Sequence, residues 1–140
     1  SIVNYIEYNY KINKKFIAVH IRNTDIKNNI FVFIKKIKKI TKKTKIITIY
    51  LSTDDYKAYN IIKSKIPNID LIQFTKPYKT EFENTHLYNP NKYQQTLNYL
   101  IDIYFILKSD FFIPSINSGM SHFAILMRLR KTNIFNKNFH

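Results

Sequence analysis

The chain has 140 residues, of which 45% are hydrophobic, with no cysteine and a formal net charge of +14. This length fits one domain with a buried core, and the lack of cysteine excludes disulfides, thiolate metal sites and a cysteine nucleophile. No uncharged apolar stretch reaches the roughly 18 residues of a membrane-spanning helix, and the four scattered histidines lack metal-binding spacing, so we expect neither a membrane span nor a metal.

Short strands and helices alternate along the predicted chain. Apolar, partly β-branched runs predict four buried strands, over residues 16–21, 46–51, 69–74 and 111–113. Helical spacing of apolar residues predicts helices over 30–40, capped by Asn28 or Asn29, from the turn at 52–55 to about 65, over 92–108 and over 119–129. The first fifteen residues also look helical, and residues 75–91 are expected to form a long surface loop.

This alternation predicts an α/β fold, a Rossmann-like parallel sheet with helices on both faces. Ligands in such sheets bind beyond the carboxyl ends of the strands. Residues 1–140 are expected to form a single domain, in which residues 1–13 are a helical lead-in or the remnant of a linker to another domain.

The positive charge is expected to be solvated rather than to bind a nucleic acid. Several lysine pairs fall on the outer side of a predicted helix: Lys35-Lys36, Lys38-Lys39 and Lys42-Lys43. Because the whole sequence drifts towards Lys, Asn, Ile, Tyr and Phe, the residues that resist the drift are informative. They are Arg22, Arg128, Arg130 and the single glycine, Gly119. A basic nucleic-acid-binding domain stays an alternative.

Three polar clusters follow predicted strands, at residues 20–25, 52–55 and 115–119, and therefore lie on one edge of the sheet. Arg22 has a planar fork that gives paired hydrogen bonds to a diphosphate, with a charge that does not titrate. The alternative role of Arg22 is a salt bridge to Asp25 or Asp54 that only orders this edge.

The other polar residues of these clusters each have a structural interpretation as well. His20 points the same way as Arg22, and either joins it in binding or is a hydrogen-bonded core histidine. Asp25 is expected to order its loop by bonding backbone amides. Asp54 caps the following helix, or the pair Asp54-Asp55 orients Arg22 or contacts a ribose.

Two further features are candidate ligand contacts. Ser118 and Gly119 open a helix, whose free amides and dipole favour phosphate, although an ordinary N-cap explains them equally. Asp102 lies in a helix that looks buried, where a carboxylate needs a partner, and the edge of a purine base would be a good one. A single glycine excludes the GxGxxG and GxxxxGK[ST] phosphate loops and the GxSxG elbow of hydrolases.

These residues resemble the motifs of the fucosyltransferase superfamily, most closely its α-1,6 branch of core and nodulation enzymes. Residues 20–25 resemble its His-x-Arg-x-x-Asp motif, and residues 49–55 its strand ending in Ala-Thr-Asp-Asp. Residues 100–105 resemble its Leu-Asp-Ile-x-Phe-Leu helix, and residues 108–118 its Ser-x-x-Asp-Phe-x-Val segment followed by Ser-Ser. The match keeps order and spacing over residues 14–130.

The resemblance implies the C-terminal, GDP-fucose-binding lobe of a GT-B glycosyltransferase, which transfers fucose with inversion and needs no metal. By position, Arg22 and His20 would hold the diphosphate, with Arg22 as the catalytic residue. Asp102 would contact guanine, and Ser118 and Gly119 would lie by the phosphates. The donor-binding set implied by position is His20, Arg22, Asp25, Asp54, Asp55, Asp102, Ser118 and Gly119.

The chain also departs from this family. Ile26 stands where the α-1,6 enzymes have Lys, and no acid occurs between Asp25 and Asp54, so the general base is unassigned. The N-terminal lobe is missing, which leaves open a catalytically inactive module that binds a sugar nucleotide or glycan. The acceptor would be a glycan or another hydroxyl compound. The absence of Cys mildly favours the cytoplasm, whereas eukaryotic relatives work in the secretory pathway.

Overall fold

A four-stranded parallel sheet with helices on both faces forms the fold, as the sequence predicted. The structure is a computed structural model that describes residues 1–23, 29–77 and 91–138, with side chains described as far as residue 130. The strands, in the order β3-β2-β1-β4, are β1 (Ile17–Ile21), β2 (Thr48–Thr53), β3 (Asp70–Ile72) and β4 (Phe111–Ile113). The helices are α1 (Ile2–Asn9), α2 (Ile30–Thr44), α3 (Ala58–Lys65), α4 (Lys92–Lys108) and α5 (Gly119–Asn138). None of the helices within these described ranges is long and apolar enough to cross a membrane.

The sheet separates two hydrophobic cores, which explains why its central strand is apolar at almost every position. All residues of β1 are buried, because α2 and α3 cover one face of the sheet and α1, α4 and α5 cover the other. Ile17, Val19 and Ile21 belong to the first core, and Ala18 belongs to the second together with Tyr50 of β2. The residues that leave the ends of these strands are therefore held on a rigid frame.

Several predicted boundaries are wrong, and those of β2 differ because pairing between strands, rather than local apolarity, sets where that strand ends. β2 begins at Thr48 and continues to Thr53, since its last two residues pair with the last two residues of β1. The helix that follows begins only at Ala58, not in the turn at 52–55. Lys45 ends α2 in the left-handed conformation, with φ of 64°, and this turn delays the start of β2.

The cap and the outer face of α2 agree with the sequence prediction. Asn29 caps the helix, its side-chain oxygen accepting a hydrogen bond from the Phe31 amide at 3.0 Å, and Asn28 lies outside the described residues. The lysines of α2 are all exposed. Their positions fit a solvated helix face.

The lead-in segment is helical only in part and packs on the sheet. α1 ends at Asn9, and residues 10–16 have no regular structure. Ile6 is 2% exposed within the second core, and the ring of Tyr10 lies 5.0 Å from the ring of Phe74. The expected surface loop lies mostly outside the described residues, at 78–90.

Candidate functional site

The carboxyl ends of β1 and β2 lie level with each other, since His20 pairs with Ser52 in the register of the sheet. Residues 20–23, 52–55 and 115–119 together form the carboxyl edge. The first of these segments is hydrogen-bonded to both of the others. The polar clusters that the sequence assigned to one edge are therefore in contact.

His20 is a buried histidine with a hydroxyl group at each ring nitrogen. Its Nδ1 lies 3.0 Å from Ser52 Oγ, its Nε2 lies 2.9 Å from Ser118 Oγ, and the residue is 6% exposed. Burial lowers the pKa of His20 from 6.5 to about 4, with a smaller lowering by the charge of Arg22, although a hydrogen bond with the backbone of Ser52 favours the charged form. The ring is therefore neutral at physiological pH and has the geometry of a hydrogen-bonded core histidine. Its role in holding a diphosphate stays a prediction.

Asp102 has the partners that a buried carboxylate needs, and all three are hydroxyl groups. Oδ1 accepts hydrogen bonds from Tyr50 at 2.6 Å and from Thr75 at 2.7 Å, and Oδ2 accepts one from Ser52 at 2.8 Å. Burial raises the pKa of Asp102 to about 6, although the three hydrogen bonds favour the ionised form. Hydrogen bonds within the protein thus supply the partners that this buried carboxylate needs, and its contact with guanine stays a prediction.

Hydrogen bonds of Ser115 connect the segment before α5 to the end of β1. Its hydroxyl donates to the His20 carbonyl at 2.7 Å and accepts from the Arg22 amide at 3.0 Å. Its own amide donates to Ser121 Oγ at 2.9 Å. Because Ser115 is fully buried, these bonds hold the first turn of α5 in a fixed position relative to Arg22.

The acidic pair after β2 binds Asn23 rather than capping the next helix. Asp54 Oδ1 accepts from the Asn23 amide at 2.7 Å, and Asp55 Oδ2 accepts from the Asn23 side chain at 2.8 Å. α3 has no side-chain cap, so the interpretation of Asp54 as its cap is wrong. Asp55 Oδ1 instead accepts from the Lys57 amide at 2.9 Å. Both carboxylates hold the chain just after Arg22.

Two backbone hydrogen bonds hold Arg22 at the carboxyl edge. Its own amide donates to Ser115 Oγ, and the amide of the next residue donates to Asp54 Oδ1. The side chain is half-buried, and its charge is close enough to lower the pKa of His20. Asp25, the other acidic residue of the predicted motif, lies outside the described residues.

Ser118 is the N-cap of α5, which agrees with one of its two interpretations. Its Oγ accepts from the Ser121 amide at 3.3 Å, and its carbonyl accepts from the His122 amide at 3.0 Å. Within the described part of the chain, the amides of Gly119 and Met120 have no acceptor, as is usual in a first helical turn. The predicted phosphate contacts of Ser118 and Gly119 remain predictions.

Four hydroxyl residues of this site had no predicted role. Ser52 and Ser115 lie in the predicted polar clusters, whereas Tyr50 and Thr75 were not predicted as part of the site. Tyr50 and Ser52 alternate on a strand that is otherwise apolar, and the partner that Asp102 requires could have been sought among them. Nothing local marks Thr75, because its partner Asp102 lies 27 positions away, and the cluster at 115–119 does not reveal that Ser115 bonds to the end of β1.

Cavities flank the sheet at both ends. One of about 400 Å³ lies beside the carboxyl edge, at the end of β3, and is lined by Tyr56, Tyr59, Asn60, Leu71, Gln73 and Lys76. Another of about 480 Å³ lies at the opposite end, between residues 10–16 and the last turns of α4. In the described ranges, no group of three or more histidine, aspartate or glutamate side chains is placed to hold a metal ion.

The fold is similar to that of two solved structures of the α-1,6-fucosyltransferase NodZ. The structure co-crystallised with GDP has a TM-score of 0.55 and 17% identity, over 89% of this chain and 40% of that one. The structure soaked with GDP-fucose has a TM-score of 0.50 and 16% identity, over 88% of this chain and 39% of that one. No protein-family model matches the sequence, and a comparison with curated proteins gives no match.

These comparisons define the class of fold. The chain has a Rossmann-like α/β fold of the kind found in GT-B glycosyltransferases, and it spans about two fifths of the length of the NodZ structures. The fold that the motif resemblance implied is confirmed, since the chain has a fold similar to that of an α-1,6-fucosyltransferase.

Proposed function

We propose that this chain is the donor-binding lobe of a glycosyltransferase that transfers fucose from GDP-fucose to a hydroxyl acceptor, with inversion and without a metal. One observation carries the proposal. A sequence resembling the His-x-Arg-x-x-Asp motif begins with His20 in β1 and Arg22 directly after it, in a fold similar to that of an enzyme co-crystallised with GDP. In parallel α/β sheets this edge is where ligands bind.

The electrostatics of the carboxyl edge support Arg22 as the diphosphate ligand. His20 is neutral at physiological pH, so the positive charge next to it comes from Arg22. The first turn of α5 adds the partial positive charge of a helix N-terminus. A guanidinium fork and helix amides suit a diphosphate, and both would stabilise the charge that develops on the leaving GDP.

Gly119 supports the same location for the phosphates. It is the single glycine of the chain, and outside its own helix turn an added Cβ would meet no atom of the residues that the structure describes within 4 Å. Its φ does not require glycine. Packing within the described protein therefore gives no reason for a glycine here, whereas the close approach of a ligand to the backbone does.

Calorimetric titration with GDP and with GDP-fucose tests donor binding. Arg22→Ala should weaken GDP binding by about 2 kcal/mol or more, or roughly 30-fold, because truncation strands a charged partner. Arg130→Ala is the matched control, since this exposed arginine lies on α5 roughly 16 Å from its first residue. Equal binding by the wild-type chain and both variants, or no heat with either nucleotide, would refute the donor site.

The second candidate function is an inactive module that binds a sugar nucleotide or a glycan. Two departures from the family's motif favour it, because Ile26 stands where the α-1,6 enzymes have Lys and no acid lies between Asp25 and Asp54 to serve as a general base. Release of GDP from GDP-fucose in the presence of a glycan acceptor identifies the enzyme. Donor binding without any acceptor-dependent release identifies the binding module.

A further inference from the structure

A buried chain of hydrogen bonds joins α4 to the first turn of α5 through the middle of the sheet. It runs from Asp102 to Ser52 over 2.8 Å, from Ser52 to His20 over 3.0 Å, and from His20 to Ser118 over 2.9 Å. These four residues form the buried relay. Each is at most 6% exposed, and Ser118 lies next to Gly119 at the carboxyl edge.

The ionised carboxylate of Asp102 fixes the direction of every bond in the buried relay. A carboxylate only accepts, so Ser52 must donate its single proton to Asp102. Ser52 can then only accept from His20, which places the proton of the neutral ring on Nδ1. Nε2 is left with a lone pair and accepts the hydroxyl proton of Ser118.

We propose that Asp102 is a positioning residue for the carboxyl edge, which acts through Ser52 and His20 to orient the hydroxyl of Ser118. With its proton directed to His20, Ser118 turns its oxygen lone pairs towards α5, where the Ser121 amide lies at 3.3 Å. The first turn of α5 is thereby aligned beside Arg22. The effect on GDP binding rests on the proposed donor site, whereas the tautomer of His20 does not.

The buried relay is costly to the core, which argues for a specific role. Burial raises the pKa of Asp102 and lowers that of His20, so the surroundings disfavour the charged form of each. Apolar side chains of similar size would fill the same space without that cost. The Ala-Thr-Asp-Asp pattern that β2 resembles has alanine at the position of Ser52. Alanine there would leave His20 and Asp102 without the hydroxyl group that joins them.

Asp102→Asn gives the sharpest test because it reverses the buried relay without changing its shape. The oxygen of the introduced amide would face the two hydroxyl donors, Tyr50 and Thr75, which leaves its NH₂ group facing Ser52. Ser52 would then accept from that group and donate to His20 Nδ1. The proton of the ring would move to Nε2, and Ser118 would lose its inward acceptor.

The tautomer is measured by nitrogen-15 NMR of labelled histidine at about pH 7.5, where the ring is neutral, with His20→Gln to assign the signal. We expect the Nδ1–H form in the wild-type chain and in Ser52→Thr, and the Nε2–H form in Asp102→Asn. Ser52→Ala removes the hydroxyl acceptor of Nδ1–H and leaves only the backbone of Ser52 beside it, so it should shift the ring partly away from that form. Ser64→Ala, which removes an exposed hydroxyl on α3, is the control and should leave the spectrum unchanged.

GDP titrations of the same variants test the effect on the site. Asp102→Asn and Ser52→Ala should weaken GDP binding about 3- to 10-fold, the equivalent of one net hydrogen bond, while Ser52→Thr and Ser64→Ala keep wild-type affinity. A wild-type Nε2–H tautomer overturns the relay, and a reversed tautomer with unchanged GDP affinity overturns its role at the site. Absence of GDP binding in the wild-type chain, with the tautomers as expected, refutes the donor site and leaves the relay standing.

Discussion

The ring of His20 and the hydroxyl of Ser118 are joined over 2.9 Å although 98 positions separate them in the sequence. This bond connects the end of the central strand to the cap of α5. Ser115, three positions earlier, connects the same two elements through the backbone of β1. Arg22 and the first turn of α5 are consequently parts of one fixed structure, which is what a preorganised phosphate site requires.

The stability of the wild-type chain should respond weakly to pH in the range where its two buried groups titrate. Burial raises the pKa of Asp102 from 3.8 to about 6, so the folded chain holds this proton more tightly, and its contribution to the free energy of unfolding falls as pH rises through that window. Burial lowers the pKa of His20 from 6.5 to about 4, so its contribution rises with pH over nearly the same window. The two slopes oppose each other.

Removing either Asp102 or His20 should leave the pH dependence of the free energy of unfolding that the other residue causes. The measurement is urea denaturation at about pH 4 and at pH 6.5. Relative to the wild-type chain, Asp102→Asn should become more stable as pH rises and His20→Gln should become less stable, each by roughly 1–3 kcal/mol. Asp70→Asn, which removes an exposed carboxylate from β3, is the control. Parallel pH profiles for the wild-type chain and both variants would show that neither group is perturbed as described.

Gly119→Ala should separate ligand binding from stability. Outside its own helix turn, the added methyl group meets no atom of the described residues within 4 Å. Because alanine also favours a helix, the free energy of unfolding should stay the same or rise by up to about 1 kcal/mol. GDP affinity should fall about tenfold, because the methyl group lies where phosphate would approach the backbone. Thr96→Ala on the exposed side of α4 is the control, and unchanged GDP affinity in Gly119→Ala would place the phosphates elsewhere.

Ser115→Ala should destabilise the chain by about 1–3 kcal/mol in urea denaturation, since it leaves buried backbone groups of His20 and Arg22 without their partner. A loss of GDP affinity should accompany the loss of stability, because the same bonds position Arg22. Ser64→Ala, at an exposed position, should change stability by less than about 0.5 kcal/mol. Equal stability of the two variants would contradict the connecting role of Ser115.

Arg128 has a structural role that distinguishes it from Arg22. Its Nη1 donates to the carbonyls of Ile106 and Ser109 at 2.8 and 3.0 Å, and so satisfies the end of α4. Arg128→Met should lower the free energy of unfolding by about 1–3 kcal/mol. In GDP titrations it should keep the wild-type affinity, whereas a loss comparable to that of Arg22→Ala would place Arg128 in the site.

The sequence predicts elements well where the pattern is local. α4 and β4 have the predicted bounds, because the spacing of their apolar residues is enough to define them, and the structure adds Asn91 as the cap of α4. The end of β2 was missed because Ser52 and Thr53 are polar, and they extend the strand only by pairing with β1.

The candidate site shows the same division between local and distant information. The position of Arg22 at a strand end follows from the pattern around it. The partners of Asp102 lie 27 to 52 positions away, so the sequence indicates only that a partner is needed. The neutral state of His20 could not be predicted either, since it depends on burial that the motif does not encode.

Calorimetric titration of the wild-type chain and Arg22→Ala with GDP tests the central claim most directly. The proposed donor site predicts saturable binding of one GDP per wild-type chain and a loss of roughly 30-fold or more in Arg22→Ala, with Arg130→Ala unchanged. Equal affinity of the wild-type chain and Arg22→Ala for GDP would contradict it.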